Sequence, residues 1–327
     1  MPTQISSFEV SYRGREATEI MLDPIFMDET LMNEYKVMTN VVNSKKLQFA
    51  KKLEKIVRKW TGCGFNPVAG LDVYEREVTV GRMKVDLQLC IDEFLDTVFE
   101  ELLKTGTRIH DASDTLIETI LIARIQEAIK LDIQRIIWFS DPANPDPNYD
   151  QTDGLLTVHI PDLVTAGLIP YFNTGSGVPM VPGAGITALQ TVYDNAPLPL
   201  KGLPTNQKVF KVSGSVYNQY REDIENGGGG DFGLTSMIDG IETLMFRGVK
   251  ITPQWRWDEI MTDDFASPDS HIVVYTALMN IVIATDTVNP GEDLFVWFDE
   301  REEFLKVKSR FKLGTNYVSP ELFSVGF

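Results

Sequence analysis

Three glycines, Gly228, Gly230 and Gly233, satisfy the letters of the GxGxxG fingerprint that cradles a dinucleotide pyrophosphate. That chemistry needs glycines that leave an apolar strand and open a helix; these follow the polar run NQYREDIEN and read as a loop. The histidines His110, His159 and His271 are scattered, and none stands in HExxH or another ligand spacing. His110 with Asp111 and Asp114 could hold a cation, but these types are expected first as loop and helix-cap groups. The carboxylates of Asp299, Glu300, Glu302 and Glu303 read as a solvated turn between strands rather than an acid–base pair. No GK[ST] loop, GxSxG elbow or CxxC occurs, and Cys63 and Cys90 are the only cysteines. Trp255 and Trp257, alternating with Gln254 and Arg256, suit a strand with one aromatic face better than a platform for stacking bases. The sequence thus assigns no catalytic residue, cofactor or metal.

The elements that would carry any site come from an ordinary globular composition. Of 327 residues 43% are hydrophobic and 24% charged, which suits a chain with a real core, in one large domain or two smaller ones. Asp and Glu number 47 against 30 Lys and Arg, a formal charge of -17, which argues against a generally basic nucleic-acid binder. Two cysteines without a framework fit a reducing compartment. The start MPTQISSFEV lacks a signal-peptide pattern, and the longest greasy run, Ile272 to Ala284, is too short and too interrupted to span a bilayer. A non-exported, soluble chain is expected.

Residues 1 to 43 show no sustained period and read as an extended arm, with a short helix from Asp28 to Met38. Ser44 to Trp60 is expected to be one helix, with Leu47, Ala50, Leu53, Val57 and Trp60 on a stripe and a basic opposite side. Lys36 to Lys59 carries eight Lys or Arg against Glu54 alone, a local +7 that leaves the rest of the chain at -24. Such a face reads first as a contact for an acidic surface of another copy; nucleic acid, an anionic membrane and plain solvation stay open. Next, Gly81-Arg82 fits a two-residue type II′ turn, pairing Val80 with Met83. Counting outward, Tyr74, Val78, Val80, Met83, Val85, Leu87 and Leu89 share one side with Arg76, while Glu75, Glu77, Thr79, Arg82, Lys84, Asp86 and Gln88 share the other. So apolar a face needs a cover, from this chain or a neighbour.

A short helix from Asp92 to Lys104 and a long one from Asp114 to Phe139, with Ile117, Leu121, Ile125, Ala128, Ile129 and Ile136 in helical spacing, end at Ser140-Asp141-Pro142. Residues 155 to 290 mix helices, at Ile186 to Asp194 and Ser215 to Asn226, with strands at Lys208 to Val212, Val249 to Thr252 and Ile272 to Ile283. Two strands close the chain, Leu294 to Phe298 and Glu303 to Leu313. In the second, Lys306, Lys308, Arg310 and Lys312 alternate with apolar residues, giving a row of four cations expected to meet carboxylates across a subunit boundary, or a little DNA.

The order of these elements resembles the major capsid proteins of tailed bacteriophages, with the Hong Kong 97-type fold. IARIQEAIKLDIQRIIWFSD (Ile122 to Asp141) resembles the family's spine helix and the turn after it, although Ser140 and Pro142 stand where the family often has Gly. KVFKVSGSVYNQYREDIEN (Lys208 to Asn226), FRGVKITPQWRWDE, MNIVIATDT (Met279 to Thr287) and FVWFDEREEFLKVKSRFKLGTNY resemble its middle-domain strand and helix, its Pro-bearing strand, its Asn to Thr-Asp run and its closing hairpin.

The resemblance implies an α+β capsid fold: an N-terminal arm (1–70, with the basic helix 44–60), an extended β-hairpin loop (71–92), a peripheral domain (93–142 and 291–327) and a mixed α/β axial domain (143–290). It implies a structural subunit forming hexamers and pentamers of an icosahedral virion shell around double-stranded DNA, assembled in the host cytoplasm and touching neither membrane nor, beyond a few contacts, the DNA. Portal, separate scaffolding, and decoration or vertex proteins are the implied partners. Intersubunit contacts are expected at Lys45, Lys46, Lys51, Lys52, Lys55, Arg58, Lys59 and Trp60 of the arm and at Tyr74, Val78, Val80, Arg82, Met83, Lys84 and Val85 of the loop. A fused scaffolding segment and a Lys84 cross-link, both known among relatives, are not expected.

Overall fold

A computed structural model describes residues 34–50, 57, 59, 73–90, 116–175, 177–226, 236–238, 241–286, 294–299, 301 and 304–327. The chain is a mixed α+β protein whose described residues fall in two compact units, one within 37–154 and 283–316, the other within 34–36, 155–282 and 317–327.

In the first unit the long helix is Leu116–Phe139. Ile125, Ile129, Ile133, Ile136 and Ile137 are buried, the three- and four-residue spacing of one covered face, whereas Ala128, expected on that stripe, is exposed. Pro142 disfavours helical backbone at Asp141, and the helix stops where the sequence placed its end. A five-stranded sheet runs Lys36–Met38, Ile281–Thr285, Phe304–Tyr317, Leu294–Asp299, with Gly81–Cys90 also paired to Phe304–Tyr317. Val307, Phe311 and Leu313 point into the core and alternate with the cations, as the period-two pattern predicts.

Lys36–Met38, placed at the end of a short helix from Asp28, is a strand, and two further expectations in this unit fail. Ser44–Ala50 is a strand, not the start of a basic helix, and pairs antiparallel with Val73–Thr79, Leu47 opposite Arg76 and Gln48 opposite Glu75. Over seven residues, SKKLQFA fits both periods. Cross-strand partners decide between them: Lys46 Nζ donates to Glu75 Oε2 at 3.1 Å and Gln48 Nε2 to Glu75 Oε1 at 3.0 Å, and Leu47 is buried. Val57, assigned to the apolar stripe, is 90% exposed.

The second failure is the hairpin at Gly81-Arg82. Val73–Thr79 and Gly81–Cys90 do not pair with each other; the first joins Ser44–Ala50, the second Phe304–Tyr317. A type II′ turn needs positive φ at its glycine, and Gly81 has none. Its role is close approach: a Cβ at Gly81 would strike the Gln151 carbonyl oxygen, and one at Gly314 the Thr79 carbonyl. The chain thus changes partner across Val80, whose N–H still donates to Asn43 O at 3.0 Å.

The second unit is built on a six-stranded sheet, ordered Tyr171–Phe172, Phe323–Gly326, Val273–Ala277, Lys208–Ser213, Val249–Gln254, Met245–Phe246. All residues of Lys208–Ser213 and Val273–Ala277 are buried. Helices Ala184–Asp194 and Gly214–Glu225 contribute Leu189, Val192, Val216 and Tyr220 to a core with Phe210, Phe246, Ile251 and Tyr275, in which the Phe210 and Tyr275 rings stack at 4.3 Å. Ile272 to Ile283, read as one β segment, breaks at Leu278 and Met279. Trp255 and Trp257 are not in a strand: Val249–Gln254 ends before them and helix Arg256–Asp263 follows. Asp258 and Glu259 favour its N-terminal turn, Trp257 is buried, and Trp255 lies edge-on to Tyr217. Among the described residues no helix is long and apolar enough to cross a membrane.

Candidate assembly surfaces

The predicted contact residues separate into buried and exposed sets. Val78 and Met83 are buried within the first unit and Val80 and Val85 half-buried, so this chain itself covers much of the apolar face that needed a cover. Lys45, Lys46, Lys59, Arg82 and Lys84 are exposed. Tyr74 has its backbone in Val73–Thr79, its side chain outside the described residues. Lys51, Lys52, Lys55, Arg58 and Trp60 lie outside the described residues, as do the glycine run, His110 and the expected Asp92 to Lys104 helix.

The cation row is flanked by a second one. Antiparallel pairing sets Lys308 opposite Asp86, Arg310 opposite Lys84 and Lys312 opposite Arg82. Lys306 Nζ donates to Asp299 Oδ2 at 2.8 Å and Lys84 Nζ to Asp86 Oδ2 at 2.8 Å, while Lys312 Nζ caps the Val42 carbonyl. The bond from Lys84 holds the Asp86 carboxyl below its usual range, with Lys308 and Arg310 adding to the pull. The stripe therefore finds two carboxylates within its own chain, and the remaining cations share the face.

In the second unit, two polar clusters that sequence reasoning missed sit in or beside the core. Glu34 is buried against Lys211, which stands between Phe210 and Val212 in the buried strand Lys208–Ser213, and also takes Thr252 Oγ1 at 3.2 Å and Lys250 Nζ at 3.4 Å. Lys211 lies 4.5 Å from the Tyr35 ring centroid; burial opposes its charge, but Tyr35 and Glu34 outweigh that and hold the ammonium above its ordinary range. The signal was present in KVFKVS: a lysine between Phe210 and Val212 in a buried strand demands an anion.

The other cluster joins Ser215, Asp258 and His271. Ser215 N donates to Asp258 Oδ2 at 2.7 Å, Ser215 Oγ to Asp258 Oδ1 at 3.1 Å, His271 Nδ1 lies 3.1 Å from Ser215 Oγ, and His271 Nε2 is 2.8 Å from the Val178 carbonyl. A hydrolytic triad puts imidazole between carboxylate and hydroxyl. Here the hydroxyl is in the middle and the second ring nitrogen is taken by a backbone carbonyl, so the cluster joins strand end, helix and loop. Burial raises the Asp258 carboxyl above its normal range against these hydrogen bonds.

No family model matches the sequence, and no curated protein does. Solved structures do match. A chain of the satellite phage P4 procapsid that includes the size determination protein is 11% identical, covering 95% of this chain and 97% of that one with a TM-score of 0.55. The capsid of an empty GTA particle is 12% identical, covering 89% and 93% with a TM-score of 0.56. The holo-SrpI encapsulin complex from Synechococcus elongatus is 12% identical, covering 89% and 84% with a TM-score of 0.50. At such identities the likeness is one of fold, and the fold is of the Hong Kong 97 type.

Proposed function

We propose that this chain is the subunit of a self-assembling protein shell, arranged as hexamers and pentamers of an icosahedral capsid enclosing the double-stranded DNA of a tailed phage, with a structural and not a catalytic role. The observation that carries the reading is the near full-length two-way match to procapsid and capsid chains of the same fold. A charge of -17 fits it, since net acidic walls do not pin a polyanion by counterion release. On this reading the protein resides in the virion, is assembled in the host cytoplasm, and works with a portal protein and with separate scaffolding and decoration or vertex proteins.

Sedimentation velocity of the purified chain at neutral pH, with negative-stain images of the fastest species, tests it. Closed shells, rings of five or six, or sheets of them are expected. A monomer or dimer across concentration and salt, even with its neighbouring gene products co-expressed, sinks the reading. The encapsulin match supports a second reading, a compartment that encloses protein cargo. Nuclease-protected DNA in purified particles supports the phage shell; protected protein and no DNA supports the compartment.

A further inference from the structure

Within the first unit, the cationic face of Gly81–Cys90 and Phe304–Tyr317, on which Arg82, Lys84 and Arg310 are exposed and Lys306, Lys308 and Lys312 half-buried, violates a rule of sheet pairing. Residues directly opposite on one face stand about 5 Å apart, and like charges there are destabilising. Arg310 faces Lys84 and Lys312 faces Arg82, two such pairs in succession. Lys84 has Asp86, while the Lys312 ammonium takes the Val42 carbonyl and the Lys312 N–H donates to Asp286 Oδ1 at 2.9 Å. Among the described residues Arg82, Lys308 and Arg310 form no ion pair. Positions two apart on a strand repeat at about 6.7 Å, so the cations form a short two-row lattice. Among the described residues Asp86, Asp299 and Asp286 are the carboxylates bonded to this stretch of sheet, three against the six cations Arg82, Lys84, Lys306, Lys308, Arg310 and Lys312, and the surplus of positive charge is open to an anion from outside the unit.

The same chain supplies a candidate. From residue 136 to residue 200 there are six Asp and no Lys, Arg or Glu, and four of the six, Asp141, Asp146, Asp150 and Asp153, fall in the loop that follows the long helix. That loop is stiff. Pro142, Pro145 and Pro147 restrict it, and Ala143 N donates to Asp141 Oδ1 at 2.8 Å, Asp146 N to Asn144 Oδ1 at 3.0 Å and Asn148 N to Asp146 Oδ1 at 2.9 Å. Asp146 and Asp150 are exposed and, among the described residues, have no cationic partner. A loop backbone already held in one shape, with the Asp141 and Asp146 carboxylates tied to it, loses little conformational freedom on docking.

We propose that the basic face around Lys308 and Arg310 docks the acidic loop 141–153 of a second copy of this chain, a heterologous contact between two different surfaces of identical subunits. The proposal rests on the shell reading and deepens it. Nucleic acid, the other polyanion such a face could take, is disfavoured because each copy brings its own stiff carboxylate array, and the block is one short lattice on a net acidic chain.

A charge swap tests it. Each substitution of a cation by Glu, or of Asp by Lys, changes the charge by two, so K308E/R310E carries -21, D146K/D150K carries -13, and the quadruple variant returns to -17. The assembled fraction is read by sedimentation velocity and the fold of each variant by its urea midpoint; the neutral sets K308Q/R310Q and D146N/D150N, the latter keeping the turn acceptor, serve if a reversal unfolds. Each double reversal should cut assembly at least about tenfold, and the quadruple variant should recover to within about twofold of the unmodified chain. Assembly of D146K/D150K equal to or better than that of the unmodified chain overturns the proposal in favour of general repulsion. So does a well-folded quadruple variant that fails to recover, or a K308E/R310E shell that forms normally but loses protected DNA. If the unmodified chain does not assemble at all, it is the shell reading that fails.

Discussion

Lys211 and Glu34 show how a single buried pair fixes the path of the chain entering the second unit. Lys211→Met leaves the Glu34 carboxylate buried with Thr252 and the more distant Lys250, and should cost about 3–5 kcal/mol. Making both positions apolar, E34M/K211M, removes the orphaned charge and should bring the urea midpoint most of the way back; a double variant no better than K211M would assign the loss to packing instead. Tyr220 makes a different residue-level case. Its hydroxyl donates to the Met245 carbonyl at 2.8 Å, and burial pushes its pKa up to about 12. Because the folded value lies above the unfolded one, near 10, its contribution is complete below about pH 10 and is lost as pH rises towards 12. Tyr220→Phe should therefore cost about 1 kcal/mol at pH 8, and the gap in urea midpoint should shrink or reverse at pH 11. Equal gaps at the two pH values would contradict this; any alkaline effect of Lys211 is common to both proteins and cancels.

At the scale of elements, the decisive residues are the small ones where the chain changes partners. Gly314→Ala drives a Cβ into the Thr79 carbonyl, a backbone atom held by pairing, and should cost about 2–3 kcal/mol, with Gly81→Ala similar. Gly202 is the control: its φ is -71° and its Cβ would meet nothing closer than 3.4 Å, so Gly202→Ala should be neutral or stabilising by a few tenths to about 1 kcal/mol. Thermal unfolding of the three variants checks the ranking, and a harmless Gly314→Ala would mean the strand switch tolerates movement. These glycines also explain what the sequence could and could not convey. The long helix, the alternation in Phe304–Tyr317 and the helices beside Lys208–Ser213 were legible because each repeats its signal over several turns or pleats. Ser44–Ala50 was not, because seven residues with two lysines fit either period and the deciding partner, Glu75, lies 27 to 29 residues away. Gly81 misled for a related reason: a glycine kept for close approach and one kept for positive φ are the same letter.

For the whole molecule, the polar clusters at Glu34 and Ser215 were invisible in one dimension because their members come from segments far apart in the chain, whereas the excess of acid and the basic row Lys306, Lys308, Arg310 and Lys312 could be read directly. That imbalance makes a prediction about assembly. Copies carrying -17 repel one another over a Debye length, about 30 Å at 0.01 M salt and about 8 Å at 0.15 M, while ion pairs in contact are weakened appreciably only when that length nears 3 Å at 1 M. Raising salt from the lowest value should therefore first promote assembly by removing long-range repulsion and then, towards 1 M, reduce it by weakening contacts such as those of the Lys308 and Arg310 face. Sedimentation velocity across this range should give a maximum at intermediate salt. A rise that continues to 1 M would mean that apolar burial alone holds the subunits and that the basic face is a passive surface. A fall from the lowest salt onward would mean that attraction between unlike patches outweighs net repulsion at every distance, and the acidic character of the chain would then need a reason other than assembly.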